Sequence, residues 1–213
     1  MRKTQLGIIG SIFVAFALGS FFYPQLPQEM AVHWGLEGQA NGYAQKEWGV
    51  FGVPALMAAI AILFAAIPKI DPLRKNIGKF LGHYYGFALA IEVFMLYVYA
   101  LTIAWNLGFL FNFSQALSPA FAFLFYCMGV LVGIAEPNWS VGIRTPWTLS
   151  SKRVWKKTHK LGAKLFKAGA AFALLGVLLP QVAIVLVIVP VLLGSLFLVA
   201  YSYFEYRKEG KEK

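Results

Sequence analysis

The chain holds one cysteine, Cys127, so no intrachain disulfide can form and cysteine usage leaves the redox compartment unread. Cys127 falls inside an apolar run, where a small packing residue is the expected role. Charge is scarce as well: 13% of the 213 residues are charged against 59% hydrophobic. The mean hydropathy of +0.65 lies outside the range of soluble domains. Internal repeats and low-complexity segments are missing, which leaves the apolar runs as the organising feature of the chain.

Those runs are about twenty residues long, the length at which a helix crosses a bilayer core of about 30 Å. Spans are expected at residues 5–23, 49–67, 81–104, 116–135, 161–179 and 183–204. The last two come from dividing a longer run. From Ala168 to Tyr203 there is no charged residue, and one helix over that stretch would measure about 54 Å at 1.5 Å per residue. That is too long for one crossing, so Pro180-Gln181 marks a tight hairpin. The fold class expected is an all-α integral membrane protein of six transmembrane helices, with a short amphipathic helix before the fifth span. The opening Met1-Arg2-Lys3, an apolar run and Ala17-Leu18-Gly19 imitate a signal peptide. The run continues through Phe21, Phe22 and Tyr23 to spanning length, so an uncleaved first span is expected.

The net charge of +10 would suggest nucleic acid on a soluble surface, but it lies between the apolar runs. With the N-terminus inside, all of the 19 Lys and Arg except Lys46 fall in inner segments, as basic residues near span ends do. Both termini are then cytoplasmic. Topology and attraction to anionic headgroups account for the charge, so the bilayer is the expected partner and direct nucleic-acid binding is not. Glycines at 129, 133, 162, 169 and 176 are expected to let neighbouring helices approach closely, and Pro190 to kink the sixth span.

The outer loop, residues 24–48, is dense in turn formers: Pro24, Pro27, Gly35, Gly38 and Asn41-Gly42 favour a compact, ordered loop. It carries His33, Trp34, Glu37 and Tyr43, suited either to contact with an extracellular peptide or sugar, or to a cap seated by Trp34, Tyr43 and Trp48 at the headgroup level. His33 and Glu37 fall short of the three or four ligands a zinc site needs, and no metal or other cofactor is expected.

The inner loop, residues 136–160, combines Gly142, Arg144, Thr145, Pro146 and Trp147 in a rigid turn, a guanidinium and an indole able to stack or clamp an anionic group. The plainer role for Arg144 is binding lipid phosphate or the last carbonyls of the fourth span. Ser150 or Ser151 can cap a helix that starts near Lys152 and runs into the fifth span, lying on or entering the inner headgroup layer. In the third span, His83 sits near the cytoplasmic end and Glu92 near the middle, where an ionised carboxylate is costly and either protonates or finds a partner. Tyr85, Glu92 and Tyr99 share one helical stripe, expected to face other helices, and the tyrosines are candidate donors to the carboxyl.

The segment GIRTPWTLSSKRVWKKTHKLGAKLF resembles the signature of the SdpI immunity-protein family, and LPQEMAVHWGLEGQANGY with the following AQK resembles the short membrane module of unknown function that commonly precedes it. The resemblance covers nearly all of the chain. It implies a prokaryotic multi-pass cell-membrane protein that protects its producer from a secreted toxic peptide, in some members also relaying the toxin's presence to a cytoplasmic transcriptional repressor. Carried over with it are Gly142, Ile143, Arg144, Thr145, Pro146, Trp147, Trp155 and His159 in the inner loop, and Pro27, His33, Gly38 and Gly42 outside. Two modules are expected: residues 1–70, two spans and the outer loop, and residues 71–213, four spans with the basic inner loop. The leading expectation is therefore a non-enzymatic immunity and signal-relay protein. A small transporter or channel using Glu92 is the alternative. An intramembrane enzyme using His83, His159 and Glu92 ranks last, for want of a nucleophile-base spacing or a metal triad.

Overall fold

The computed structural model describes residues 2–211. Eight helices and one hairpin follow in order: α1 (Arg2–Phe22), β1 (Glu29–Trp34), β2 (Ala40–Gln45), α2 (Lys46–Ile70), α3 (Arg74–Gly78), α4 (Leu81–Asn106), α5 (Phe113–Ile134), α6 (Pro146–Ser150), α7 (Lys152–Leu175) and α8 (Ala183–Lys211). A helix satisfies its backbone groups within a single segment, as a lipid environment requires, and the long elements are helical throughout. Five of them are long and apolar enough to cross a membrane: α1, α2, α4, α5 and α8. The sixth expected span, residues 161–179, is the second half of α7 and does not meet that standard. Lysines recur along α7 as far as Lys167, so its apolar stretch is short. The predicted cap and start of α7 are found: Ser151 Oγ accepts from the Val154 N–H and the helix opens at Lys152. A turn through Pro180–Val182 separates α7 from α8, where the hairpin was expected. Pro190 lies within α8 without ending it.

Glycine governs how closely α5, α7 and α8 approach, as expected of these small residues. A Cβ at Gly129 would stand 2.9 Å from the Ala163 carbonyl oxygen, one at Gly169 2.9 Å from Val191, and one at Gly176 2.4 Å from Ser118 Oγ. α1 packs along α4 in parallel, with Gly7 against Leu89 and Gly19 against Tyr99 and Val50.

Two prolines that α2 carries in its interior, Pro54 and Pro68, shape its contact with α4. Each lacks an N–H, which leaves the carbonyl four residues earlier without its helical donor, a loss that costs several kcal/mol in lipid. α4 supplies the replacement at both sites. Tyr99 Oη donates to the Val50 carbonyl at 2.7 Å and Tyr84 Oη to the Phe64 carbonyl at 3.0 Å. Both tyrosine side chains are fully buried, so α2 and α4 are fixed in register by two hydrogen bonds about one helix half apart.

The outer loop is an antiparallel β-hairpin, an element the turn chemistry alone did not reveal. Its pairing runs from Glu29↔Gln45 to Trp34↔Ala40, with irregular register on either side of His33. The hairpin lies at the end of the bundle where α4 finishes and α5 begins, whereas the signature loop lies at the opposite end. The end of α8 is also at the signature end, since Thr145 Oγ1 meets Ser202 Oγ at 3.0 Å, and α1 starts toward that end, with Gly7 against Leu89 in the first half of α4.

Candidate functional site

At the hairpin end, two asparagines hold the loop to the bundle. Asn106, the last residue of α4, accepts from the Ala31 N–H at 2.8 Å and donates to the Ala31 carbonyl at 2.9 Å, standing in for a neighbouring strand. Asn112 caps α5 through the Gln115 N–H and donates to the Glu37 carbonyl. Gly38, in the left-handed region at φ +77°, sits so close to Asn112 that a Cβ would approach its Oδ1 to 2.5 Å. Gly42 is held against His33 in the same way, and His33 Nδ1 meets Asn41 Oδ1 at 2.6 Å. Lys46, the lysine at the start of α2 beside the hairpin, is buried with its ammonium over the Tyr23 ring at 4.5 Å.

Beneath the hairpin lies an apolar cleft of about 500 Å³. Val32, His33, Trp34 and Leu36 roof it; Trp48, Gly52 and Val53 of α2, Val98 and Thr102 of α4, Phe113, Ser114 and Leu117 of α5, and Ile184 of α8 line the rest. The Trp34 ring lies flat on Phe113 at 3.7 Å and edge-on to Trp105, which anchors the roof. Its Nε1–H is buried without an acceptor among the described residues. Trp48 stands open at the rim, 73% exposed. Of the residues singled out from the sequence, His33 and Trp34 line this cleft, Gly38 and Gly42 shape its roof, and Glu37 and Tyr43 point to the surface. Asn106 and Asn112 escaped the sequence reading; each follows or precedes a span and meets the hairpin 75 residues away along the chain.

At the other end the signature residues form a tightly bonded knot. His159 is 2% exposed and both ring nitrogens are used: Nε2 accepts from the Ile143 N–H at 3.0 Å, and Nδ1 donates to the Trp155 carbonyl at 2.9 Å. That pairing defines a neutral ring protonated on Nδ1. Burial pushes the imidazole down to about 4, against the partial opposing effect of the Trp155 carbonyl. The ring stacks on Trp155 at 3.9 Å, and the Trp155 Nε1–H donates to the Ala135 carbonyl. Gly142 has φ +116°, and a Cβ there would come within 2.4 Å of His159 Nε2, so both backbone and space require glycine. Thr145 and Thr148 close a capping box on α6, with Pro146 at its first turn. Trp147 packs edge-on to Tyr203.

Arg144 is exposed and donates to the Trp139 carbonyl in the same loop; the stacked Arg144–Trp147 clamp considered from the sequence is not formed. Two residues outside the motif complete the knot. Asn138, fully buried, uses both faces of its amide on the turn from Glu136 to Val141. Asp71, at the end of α2, accepts from the Trp139 N–H at 3.0 Å and Ser140 Oγ at 2.5 Å. Their signals in sequence were an Asp before proline and an Asn within Pro-Asn-Trp-Ser, both turn formers.

Glu92 is 1% exposed, between helices as expected, and both carboxyl oxygens lack a hydrogen-bond partner among the described residues. The tyrosines suggested as its donors do not reach it: Tyr99 is committed to Val50, and the neighbour making the matching bond is Tyr84 rather than Tyr85. His83 is exposed in the first turn of α4. Among the described residues no three His, Cys, Asp or Glu side chains gather as metal ligands.

A bundle of apolar spanning helices, cross-linked by side-chain bonds to proline-freed carbonyls, defines a multi-pass membrane protein. Its modules are recognisable: residues 134–202 match the model of the SdpI/YfhL protein family, and residues 10–58 match a domain of unknown function, DUF1648. The resemblance seen in the signature is thereby shown over residues 134–202. Over its length the chain is 27% identical to the immunity protein SdpI of Bacillus subtilis strain 168, across 98% of both proteins. No solved structure matches.

Proposed function

We propose that this protein is a non-enzymatic membrane immunity protein that takes an apolar segment of a secreted, membrane-active peptide into the cleft beneath the hairpin. The observation carrying this reading is the similarity to an immunity protein across 98% of both chains. The cleft supports it chemically. It is apolar, wide enough for a bulky side chain or a helix turn, and walled by tryptophans that bury much area with few rotatable bonds. In this reading the chain crosses the membrane six times, α7 included, with the hairpin outside and both termini cytoplasmic. Residues 1–70 are the module bearing the hairpin and residues 71–213 the module bearing the signature. The exposed face beside the knot, with Arg144, Lys152 and Lys156, is the surface offered to a cytoplasmic regulator.

Gly52 provides the test, because it lines the cleft and a Cβ there meets nothing within 4 Å. Gly52→Phe fills the cleft without displacing the backbone. Gly86→Phe is the control, on an equally open glycine of α4 outside the cleft. Sensitive cells expressing each form are challenged with the secreted peptide fraction of the source organism. Wild type and Gly86→Phe should protect, and Gly52→Phe should accumulate normally yet lose about tenfold or more in protective dose, the effect of about 1.4 kcal/mol in binding. Absence of protection by wild type would remove the immunity reading; full protection by Gly52→Phe would remove the cleft from it.

A further inference from the structure

Near the signature end, α7 and α8 leave a cleft of about 320 Å³ lined by Lys157, Lys160, Leu161, Lys164 and Tyr201. The lysines fall at i, i+3 and i+7, on one side of α7. Lys157 is already engaged: its ammonium meets Glu205 Oε2 at 2.5 Å, while Lys208 takes Oε1 of the same carboxylate at 3.2 Å. Glu205 is therefore fully compensated by those two. Lys160 and Lys164 make no ion pair or hydrogen bond among the described residues, so the cleft carries uncompensated positive charge.

Depth gives that charge its meaning. Gly129 and Gly133 of α5 pack on Ala163, which sets Lys160 and Lys164 beside the last turns of α5, where its apolar run ends at Ile134. Lysines at that level reach the headgroup layer while their stems lie along apolar surface. Tyr201 faces them across the cleft. Its ring lies 6.2 Å from that of Phe197, one turn nearer the middle of α8 and 54% exposed.

We propose that this cleft binds the phosphate of an anionic phospholipid, Lys160 and Lys164 meeting the phosphate oxygens, the Tyr201 hydroxyl donating to them, and Phe197 bedding an acyl chain. Two ammonium groups and a phenol match the acceptor-rich, singly charged phosphodiester, and point-charge donors suit a headgroup that need not be held bidentately. Basic pockets between helices at the membrane surface bind acidic lipid headgroups for this reason. The proposal rests on the membrane-spanning placement of the bundle and is independent of the immunity reading.

Purified, delipidated protein in a neutral detergent, mixed with equal amounts of phosphatidylglycerol and phosphatidylcholine, tests it by native mass spectrometry of the retained lipid. Wild type should retain phosphatidylglycerol preferentially. The pair Lys160→Gln and Lys164→Gln should cut that preference by about twenty-five-fold, about fivefold for each lysine. The control pair Lys152→Gln and Lys156→Gln removes the same charge from α7 outside the cleft and should leave the preference intact. Equal loss in both pairs would reduce the effect to net charge and overturn the site. Displacement of the lipid by millimolar inorganic phosphate would overturn the lipid as ligand in favour of free phosphate. Should the first pair accumulate poorly, Tyr201→Phe decides: weaker retention upholds the site, and unchanged retention defeats it.

Discussion

His159 shows how one residue can hold a motif together. Its neutral ring accepts from one arm of the loop and donates to α7, and protonation of Nε2 would set a second N–H against that of Ile143. The folded imidazole lies at about 4 and the free value is 6.5, so between those values the unfolded chain binds a proton that the folded chain refuses. Stability from this group is complete above about pH 6.5 and is lost as pH falls through about 4, a change on the order of 3 kcal/mol. Thermal unfolding of the detergent-solubilised protein should therefore shift downward from pH 7 to pH 4.5, and His159→Gln, which cannot titrate, should show a smaller shift. Identical profiles would contradict the assignment. The sequence marked His159 and Trp155 chiefly through the resemblance. Their roles depend on Gly142 and Ile143, sixteen or so residues earlier, and spacing could not show that contact.

Among elements, the α2–α4 pair makes the sharpest physical case. Tyr99→Phe removes the donor to a buried carbonyl that its own helix cannot satisfy, and a cost of about 1–2 kcal/mol is expected. Pro54→Ala restores an N–H to that carbonyl. Tyr99→Phe should then cost at least about 1 kcal/mol less in the Pro54→Ala background, measured as a double-mutant cycle by thermal or denaturant unfolding. Additive effects would mean that the hydroxyl and the proline are not coupled. The stripe containing Tyr99 and Glu92 was legible from helical periodicity, and Glu92 is buried where that stripe implies. The proline partnership was not, because Pro54 reads as lying near the start of the apolar run, whereas α2 begins at Lys46 and carries it in the interior. The hairpin was hidden for a related reason: its strands are short and are held by Asn106 and Asn112, far away in sequence. α7 differs again, since charge counted as loop in the sequence continues down a helix that packs against α5 and α8.

For the whole molecule, five of the six expected apolar spans, the loop positions and the concentration of charge at one end were readable from hydropathy and from Lys and Arg placement. The structure adds that hairpin and signature occupy opposite ends of the same helices, each built by residues distant in sequence. Proposed recognition and proposed output are thus separated by the full length of the bundle. Several helices reach both ends: Asp71 and Ala135, at the ends of α2 and α5, bond to the knot, Asn112 before α5 bonds to the hairpin, and α8 lines the cleft with Ile184 and meets Thr145 with Ser202.

The central claim is that the cleft end faces the exterior and the signature end the cytoplasm. In a Cys127→Ala background, single cysteines at Gln39 on the hairpin tip and at Lys156 on α7 occupy exposed positions at the two ends. A membrane-impermeant maleimide added to intact cells should label the cysteine at 39 and spare that at 156 until the membrane is permeabilised. Labelling at 156 with protection at 39 would contradict the account, because the cleft would then open away from any secreted peptide.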